Sequence, residues 1–295
     1  MKWKKSKEYI IGWCCEMDLS TYANALGTKE NLLSVVGEGA NGIVLTDGSG
    51  VAFKFPKHKL ALPWLRHEME IIDHISKALS VDVPNYFAAH LDRPIGEAYC
   101  AFSLIPGEKL TKEIYALHRH KITKQLLSLL DEIHAIAPLE TIGGNKMDFE
   151  AMYNEIQSLL FPLVEDRIKW DIESRFEVYF RDMNLIPQND CVIHGDLGSA
   201  NIICDPETGV ITGIIDWAEV AIDDPALDYS SLTCAAGIPL CKEDFLTLRP
   251  SLSAIFGRSN FIQYTFPLQE ALHGVKTNDE EALHSGLSVM SKLIT

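Results

Sequence analysis

Apolar and β-branched residues come in short runs over the first third of the chain. Leu32, Leu33, Val35 and Val36 lead into Gly37-Glu38-Gly39-Ala40-Asn41-Gly42. Ile43-Val44-Leu45, a turn at Asp47-Gly48-Ser49-Gly50, and Val51-Ala52-Phe53-Lys54-Phe55 follow. Runs of this kind joined by glycine-rich turns predict antiparallel hairpins. Leu65, Met69, Ile72, Ile75 and Leu79 then recur at helical spacing on one face, which predicts a helix over residues 65–79. Short strands return between Val81 and Ser103, with Ala98 to Phe102 the clearest.

At Ile105-Pro106-Gly107-Glu108 the β-rich character stops. Helical patterns occupy 124–136, 149–160 and 165–183, a second small β unit covers Cys191 to Asp216, and helices fill the remainder. The expected fold class is α+β. A β-rich N-terminal part over 1–105 is joined through a Pro-Gly hinge to a mainly helical part over 106–295.

Composition narrows the function classes. A chain of 295 residues, 47% hydrophobic and 23% charged, is an ordinary globular sequence long enough for two lobes. The opening MKWKKSKEYIIGWCCEMDLS has too short an apolar run for a leader and no small-residue cleavage site, so it reads as an amphipathic helix. No stretch has the apolar length to span a bilayer, and the expected location is the cytoplasm. Seven cysteines, with Cys14 and Cys15 adjacent and Cys100, Cys191 and Cys204 inside apolar runs, point to free thiols. No Cys/His spacing of a zinc site occurs. The formal net charge of −15 argues against nucleic acid, which needs clustered Lys and Arg, and suits a cationic ligand.

The spacing Gly37-x-Gly39-x-x-Gly42 fits two nucleotide-binding devices. A dinucleotide fold needs a helix to start inside the motif and an acid about 20 residues on. Here Ile43-Val44-Leu45 continues a strand, and Lys57, His58 and Lys59 stand where the acid should be. The alternative is a glycine-rich hairpin over nucleotide phosphates with a lysine on the next strand, which Lys54 supplies. Glu68 shares the apolar face of the following helix and can point inward to support Lys54, whereas Glu70 lies on another face.

The chemistry concentrates between His194 and Asp216. Asp196 follows the apolar Val192-Ile193 at a strand-to-loop junction, Asn201 lies five residues on, and Asp216 ends a second apolar run. Phosphoryl transfer needs a carboxylate to take or orient the proton of an attacking hydroxyl, hard oxygen ligands for magnesium, and a cation against the transferred group. Asp196 fits the base, Asn201 and Asp216 the Mg2+ ligands, and Lys54 the cation. His194 fits a packing and hydrogen-bonding brace beside them.

These residues resemble the aminoglycoside phosphotransferase family of small-molecule kinases, which is protein-kinase-like and bilobal. The resemblance rests on His-Gly-Asp-x-x-x-x-Asn at 194–201, Ile-Ile-Asp-Trp at 214–217 and Asp-Asp-Pro-Ala-Leu-Asp at 223–228, and runs from about Leu32 to Leu287. It implies that Gly37, Gly39 and Gly42 cover the phosphates of ATP or GTP. It also implies that Phe102, Ser103 and Ile105 meet the purine and that Asp228 anchors the catalytic loop. Gly195 and Trp217-Ala218 depart from the protein kinases, which carry Arg before the catalytic Asp and Phe-Gly after the metal Asp. No Ala-Pro-Glu segment follows either.

Val36-Gly37-Glu38-Gly39 and Phe53-Lys54-Phe55-Pro56-Lys57-His58 are similar to aminoglycoside 2''-phosphotransferases. The stretch from Gly213 to Glu219, with the Asp-Asp-Pro-Ala segment, is also similar to macrolide 2'-phosphotransferases. The expected activity is antibiotic phosphorylation, with an aminoglycoside the first choice of acceptor. The alternatives are a macrolide, a choline- or sugar-type metabolic alcohol, or a nucleotide-binding regulator without catalysis. Glu219, Glu243, Asp244 and Glu270 are acids that could meet a cationic acceptor or stand as surface charges. No nucleic acid, membrane or obligate protein partner is expected.

Overall fold

The computed structural model describes residues 18–39, 41–142, 146–182, 185, 190–234 and 240–293. The amphipathic helix expected at the N-terminus, with Cys14 and Cys15, lies outside the described residues, as does most of the apolar stretch after Cys234. The chain falls into two compact units. One comprises the described residues of Met1–Pro63 together with Tyr86–Leu104, and the other comprises Trp64–Asn85 and Ile105–Thr295.

Among its described residues the first unit is built on an antiparallel sheet covered by a short helix. Helix α1 (Leu19–Leu26) starts at Asp18, whose side chain accepts from the Ser20 amide, and ends at Gly27 in the left-handed conformation. Strands β1 (Ser34–Glu38), β2 (Gly42–Thr46) and β3 (Val51–Pro56) form the two expected hairpins. Helix α2 (Ala61–Ser76) follows, then β4 (Tyr86–Ala89) and β5 (Cys100–Ser103). The strand order is β1-β2-β3-β5-β4, with every pairing antiparallel. Tyr22, Leu33, Ile43, Leu45 and Phe55 make the core under α1, where the Tyr22 and Phe55 rings lie 4.6 Å apart.

Most of α2 belongs to the second unit. So do β6 (Glu108–Lys109), α3 (Lys112–His134), α4 (Phe149–Leu159) and α5 (Asp166–Arg181). They are followed by β7 (Cys191–Ile193), β8 (Ile202–Cys204), β9 (Ile211–Ile214) and β10 (Ala221–Asp223), and then by α6 (Ala226–Thr233), α7 (Lys242–Leu248), α8 (Ser253–Thr277) and α9 (Glu280–Leu293). Ile156, Ile172, Phe176, Leu268, Ala271 and Met290 are fully or almost fully buried in a core shared by α4, α5, α8 and α9. Among the described residues no helix is long and apolar enough to cross a membrane.

The region expected to be one β unit over 191–216 is two small sheets. β7 pairs with β10, while β8 lies between β6 and β9. The reason is the Pro-Gly segment, which does not end the β structure. Gly107, at φ 127°, lets the chain approach the Cys204 carbonyl so closely that a Cβ would lie 2.6 Å from it. Glu108 then pairs with Cys204, so β6 occupies the edge of β8 that β7 would otherwise use.

Candidate active site

The sheet β6-β8-β9 and the loop ahead of it set the geometry. In the antiparallel register Ile202 faces Ile214, and the Ile215 amide donates to the Asn201 carbonyl at 3.0 Å. Asn201 therefore stands beside Asp216 although 15 positions separate them in sequence. A 3-10 turn at Ser199–Asn201 follows the loop that begins at His194, with the Gly198 amide donating to the Asp196 carbonyl at 2.8 Å. That turn brings the Asn201 Nδ2 to the Asp196 main-chain carbonyl at 2.8 Å and to Asp196 Oδ2 at 3.1 Å. Asp196, Asn201 and Asp216, all expected from the sequence, are brought together.

Asp196 is accessible to solvent, yet protein on several sides thins its hydration. This desolvation raises its proton affinity above the usual carboxylate range; the charge of Asp216 adds to the shift, and His194 and the Asn201 bond oppose it. Asp216 itself adopts a left-handed backbone conformation at φ 66°. That conformation costs free energy in a non-glycine residue and recurs at functional sites. With its amide nitrogen committed to Asp196, the Asn201 carboxamide has its oxygen left as a hard donor, and Asp216 follows the residue whose amide bonds the Asn201 carbonyl. One or two such oxygens, completed by phosphates and water, suit Mg2+.

His194 is fully buried and holds the loop from inside. Its Nδ1 accepts from the Asp196 amide at 3.2 Å, its Nε2 donates to the Ile215 carbonyl at 3.1 Å, and its ring lies 4.5 Å from that of Trp217. It thus ties Asp196, two residues on, to Ile215, the residue before Asp216. Asp228, also fully buried, closes the arrangement from α6. Its Oδ1 accepts from the Gly195 amide at 3.0 Å, and its Oδ2 accepts from the His194 amide at 3.2 Å and from His134 Nε2 at 3.0 Å. Charge-assisted bonds of this kind are the stronger ones in a dry interior. His134 carries no motif signal; it reaches the site only because α3 passes beneath it.

Glu68 is fully buried while Glu70 is exposed, as the helix face implies. Its Oε1 accepts from the Trp217 amide at 3.3 Å, next to Asp216. Gly195, at φ 86°, lies so close to Glu219 that a Cβ would fall 2.3 Å from the Glu219 carbonyl oxygen. That contact fixes Glu219 near Asp196. Its exposed carboxyl is raised above the usual range by partial desolvation and by the charges of Asp196 and Asp216, and it has no hydrogen bond or ion pair among the described residues. Of the four acids considered for a cationic acceptor, Glu219 alone stands in the field of the catalytic carboxylates. Asp244 is committed to Arg119 and Tyr115, Glu243 accepts from the Cys241 thiol, and Glu270 is exposed on α8.

In the first unit Lys54 lies at the centre of β3, paired with Val44 and Cys100. The Gly39 amide donates to the Gly42 carbonyl at 2.9 Å, closing the glycine turn. The glycines there serve different ends. A Cβ on Gly42 would lie 2.9 Å from the Phe55 carbonyl oxygen, whereas one on Gly39 would meet nothing within 4 Å. Gly37 sits at the bulge in β1. Phe102 is buried against Tyr86, with ring centroids 5.2 Å apart, and Ser103 is exposed at the end of β5. In the second unit, Ile105 packs against the Gly213 backbone.

Residues 36–254 match the phosphotransferase enzyme family. Viomycin phosphotransferase of Streptomyces vinaceus is 30% identical over 202 residues, which cover 64% of this chain and 68% of that one. The fold is similar to the GDP and kanamycin complex of an aminoglycoside phosphotransferase, APH(2'')-IIIa, with a TM-score of 0.78 at 19% identity over 88% of this chain and 92% of that one. It is also similar to macrolide 2'-phosphotransferase MphH from Brachybacterium faecium, with a TM-score of 0.68 at 18% identity over 87% and 92% of the two chains. The protein-kinase-like fold and the kinase-type activity expected from the motifs are therefore those of its relatives, and the chain belongs to the phosphotransferase enzyme family.

Proposed function

We propose that this kinase moves the γ-phosphate of ATP or GTP to a hydroxyl of a positively charged antibiotic, an aminoglycoside first among the candidates. The observation that carries the reading is Asp196, hydrogen-bonded to Asn201 beside Asp216 and partly desolvated. A carboxylate with raised proton affinity, held within reach of solvent, is suited to orient and receive the proton of an incoming hydroxyl. The Asn201 oxygen and the Asp216 carboxylate would hold Mg2+, which when bound neutralises phosphate charge during transfer. Lys54 supplies further positive charge, Gly37, Gly39 and Gly42 allow the backbone to approach phosphates, and Phe102, Ser103 and Ile105 border the base. His194 keeps Asp196 in place.

The unpaired carboxylate of Glu219 supports a cationic acceptor, since an ammonium group beside it would relieve the repulsion among three acids. A second reading, a viomycin-type acceptor, is favoured by the 30% identity to viomycin phosphotransferase. The similarity to a macrolide phosphotransferase makes macrolides a third class to assay.

The test is a nucleotide-consumption screen with magnesium present, run with ATP and with GTP. It covers aminoglycosides, viomycin, macrolides and small amino alcohols, and product mass confirms phosphorylation. Turnover of an amino alcohol alone would overturn the antibiotic reading. Asp196→Ala should lower turnover by about a hundred- to ten-thousand-fold while nucleotide binding persists. Full turnover in that variant would remove Asp196 as the base.

A further inference from the structure

The phosphoryl-transfer chemistry leaves one buried ion pair without a task. Arg258 on α8 and Asp224 ahead of α6 are 7% and 4% exposed. Arg258 Nε donates to Asp224 Oδ2 at 2.6 Å and its guanidinium Nη2 donates to Oδ1 at 3.0 Å, a bidentate pair. Asp224 Oδ1 also accepts from the Ala226 amide at 2.9 Å, so the guanidinium aims the carboxylate that caps the first turn of α6. α8 grips the same helix further along. The Ser230 hydroxyl bonds the Ser259 carbonyl at 3.3 Å, and Gln263 Nε2 donates to the Ser230 carbonyl at 2.9 Å and to Thr233 Oγ1 at 2.7 Å.

One helical turn after Asp224 comes Asp228, the residue that accepts the amides of His194 and Gly195 immediately before Asp196. We propose that Arg258 is a positioning residue for the catalytic base. By locking Asp224 it fixes the axial placement of α6, and Asp228 passes that placement to the loop carrying Asp196. The inference rests on Asp196 being the base. Buried ion pairs add little stability relative to well-packed neutral replacements, so a purely structural role is a weak reason for a fully desolvated pair at this point. A reacting group displaced by about an ångström, in contrast, loses roughly a hundredfold in rate.

The experiment removes the charges while keeping the cap. In the double variant Arg258→Met with Asp224→Asn, the asparagine oxygen can still accept from the Ala226 amide and no charge is left buried. Turnover per folded molecule, KM for nucleotide and for acceptor, and the amide NMR shifts of His194 and Gly195 are measured beside the parent enzyme and Arg258→Lys. The expected result is a kcat lower by about tenfold or more, both KM values within about threefold, displaced His194 and Gly195 amides, and partial recovery of kcat in Arg258→Lys. A double variant with unchanged kcat per folded molecule would overturn the proposal, as would a loss that merely tracks the folded fraction. Asp196→Ala is assayed in parallel. If it retains turnover, the base assignment fails whatever Arg258 does; if it is inactive while the double variant is fully active, the inference about Arg258 alone fails.

Discussion

Asp228 receives three N–H donors on two oxygens without exposing either. Only a carboxylate can do this, because an amide offers one oxygen and one nitrogen. In Asp228→Asn, keeping the oxygen toward His194 and His134 turns an N–H against that of Gly195. The expected cost is about 1–3 kcal/mol, checked by urea unfolding, together with a drop in kcat. How far the site could be read in the sequence follows from this residue. Asp196, Asn201 and Asp216 lie within 21 positions, and the chemistry of phosphoryl transfer recognises their types. Glu68 could be placed facing inward from helix periodicity alone, but its acceptance of the Trp217 amide could not, because the two are 149 positions apart. His134 was invisible for the same reason, as it reaches Asp228 across 94 positions. Glu219 could be named as a candidate acid from its position after Asp216. Its place in the field of Asp196 needed the left-handed turn at Gly195.

Among the elements, the sequence reading was closest where a single amphipathic face decides the outcome. The helices expected at 149–160 and 165–183 are Phe149–Leu159 and Asp166–Arg181. The helix expected at 124–136 begins instead at Lys112, capped by Thr111, whose side chain accepts from the Ile114 amide. A kink at His118 divides it, so no single apolar stripe runs its length. The pairing of β6 with β8 was not legible because it joins strands about 95 residues apart. Helix α3 is also tied to α7, where Arg119 Nη2 donates to Asp244 Oδ1 at 2.8 Å and Tyr115 donates to Oδ2 at 3.1 Å. The Arg119 guanidinium holds the Asp244 carboxyl below the usual range. The folded protein therefore binds that proton less readily than the unfolded chain. The contribution is complete above the ordinary carboxylate pKa and is lost as pH falls through the lowered value. With both side chains partly exposed, Asp244→Asn should cost less than about 1 kcal/mol near pH 7. The difference should vanish in strong acid, as unfolding midpoints at both pH values would show.

For the molecule as a whole, the net charge of −15 was available from the start and bears on the acceptor. If the acceptor is cationic, its KM should rise severalfold between low salt and about 0.3 M salt, because exposed charges are screened within roughly 10 Å. The KM of a neutral acceptor should stay flat, and initial-rate measurements at two salt concentrations separate the cases. The same acids that attract a cation leave little room for change at the turn they surround. Gly195 combines a left-handed backbone with a Glu219 carbonyl lying where a side chain would begin. Gly195→Ala should therefore abolish activity, while Gly39→Ala, which meets nothing within 4 Å, should fold normally. If the acceptor is a drug, selection by it would then hold the glycine at this position in every surviving lineage. Inherited shifts in acceptor preference would have to accumulate elsewhere in the chain, around an unvarying glycine.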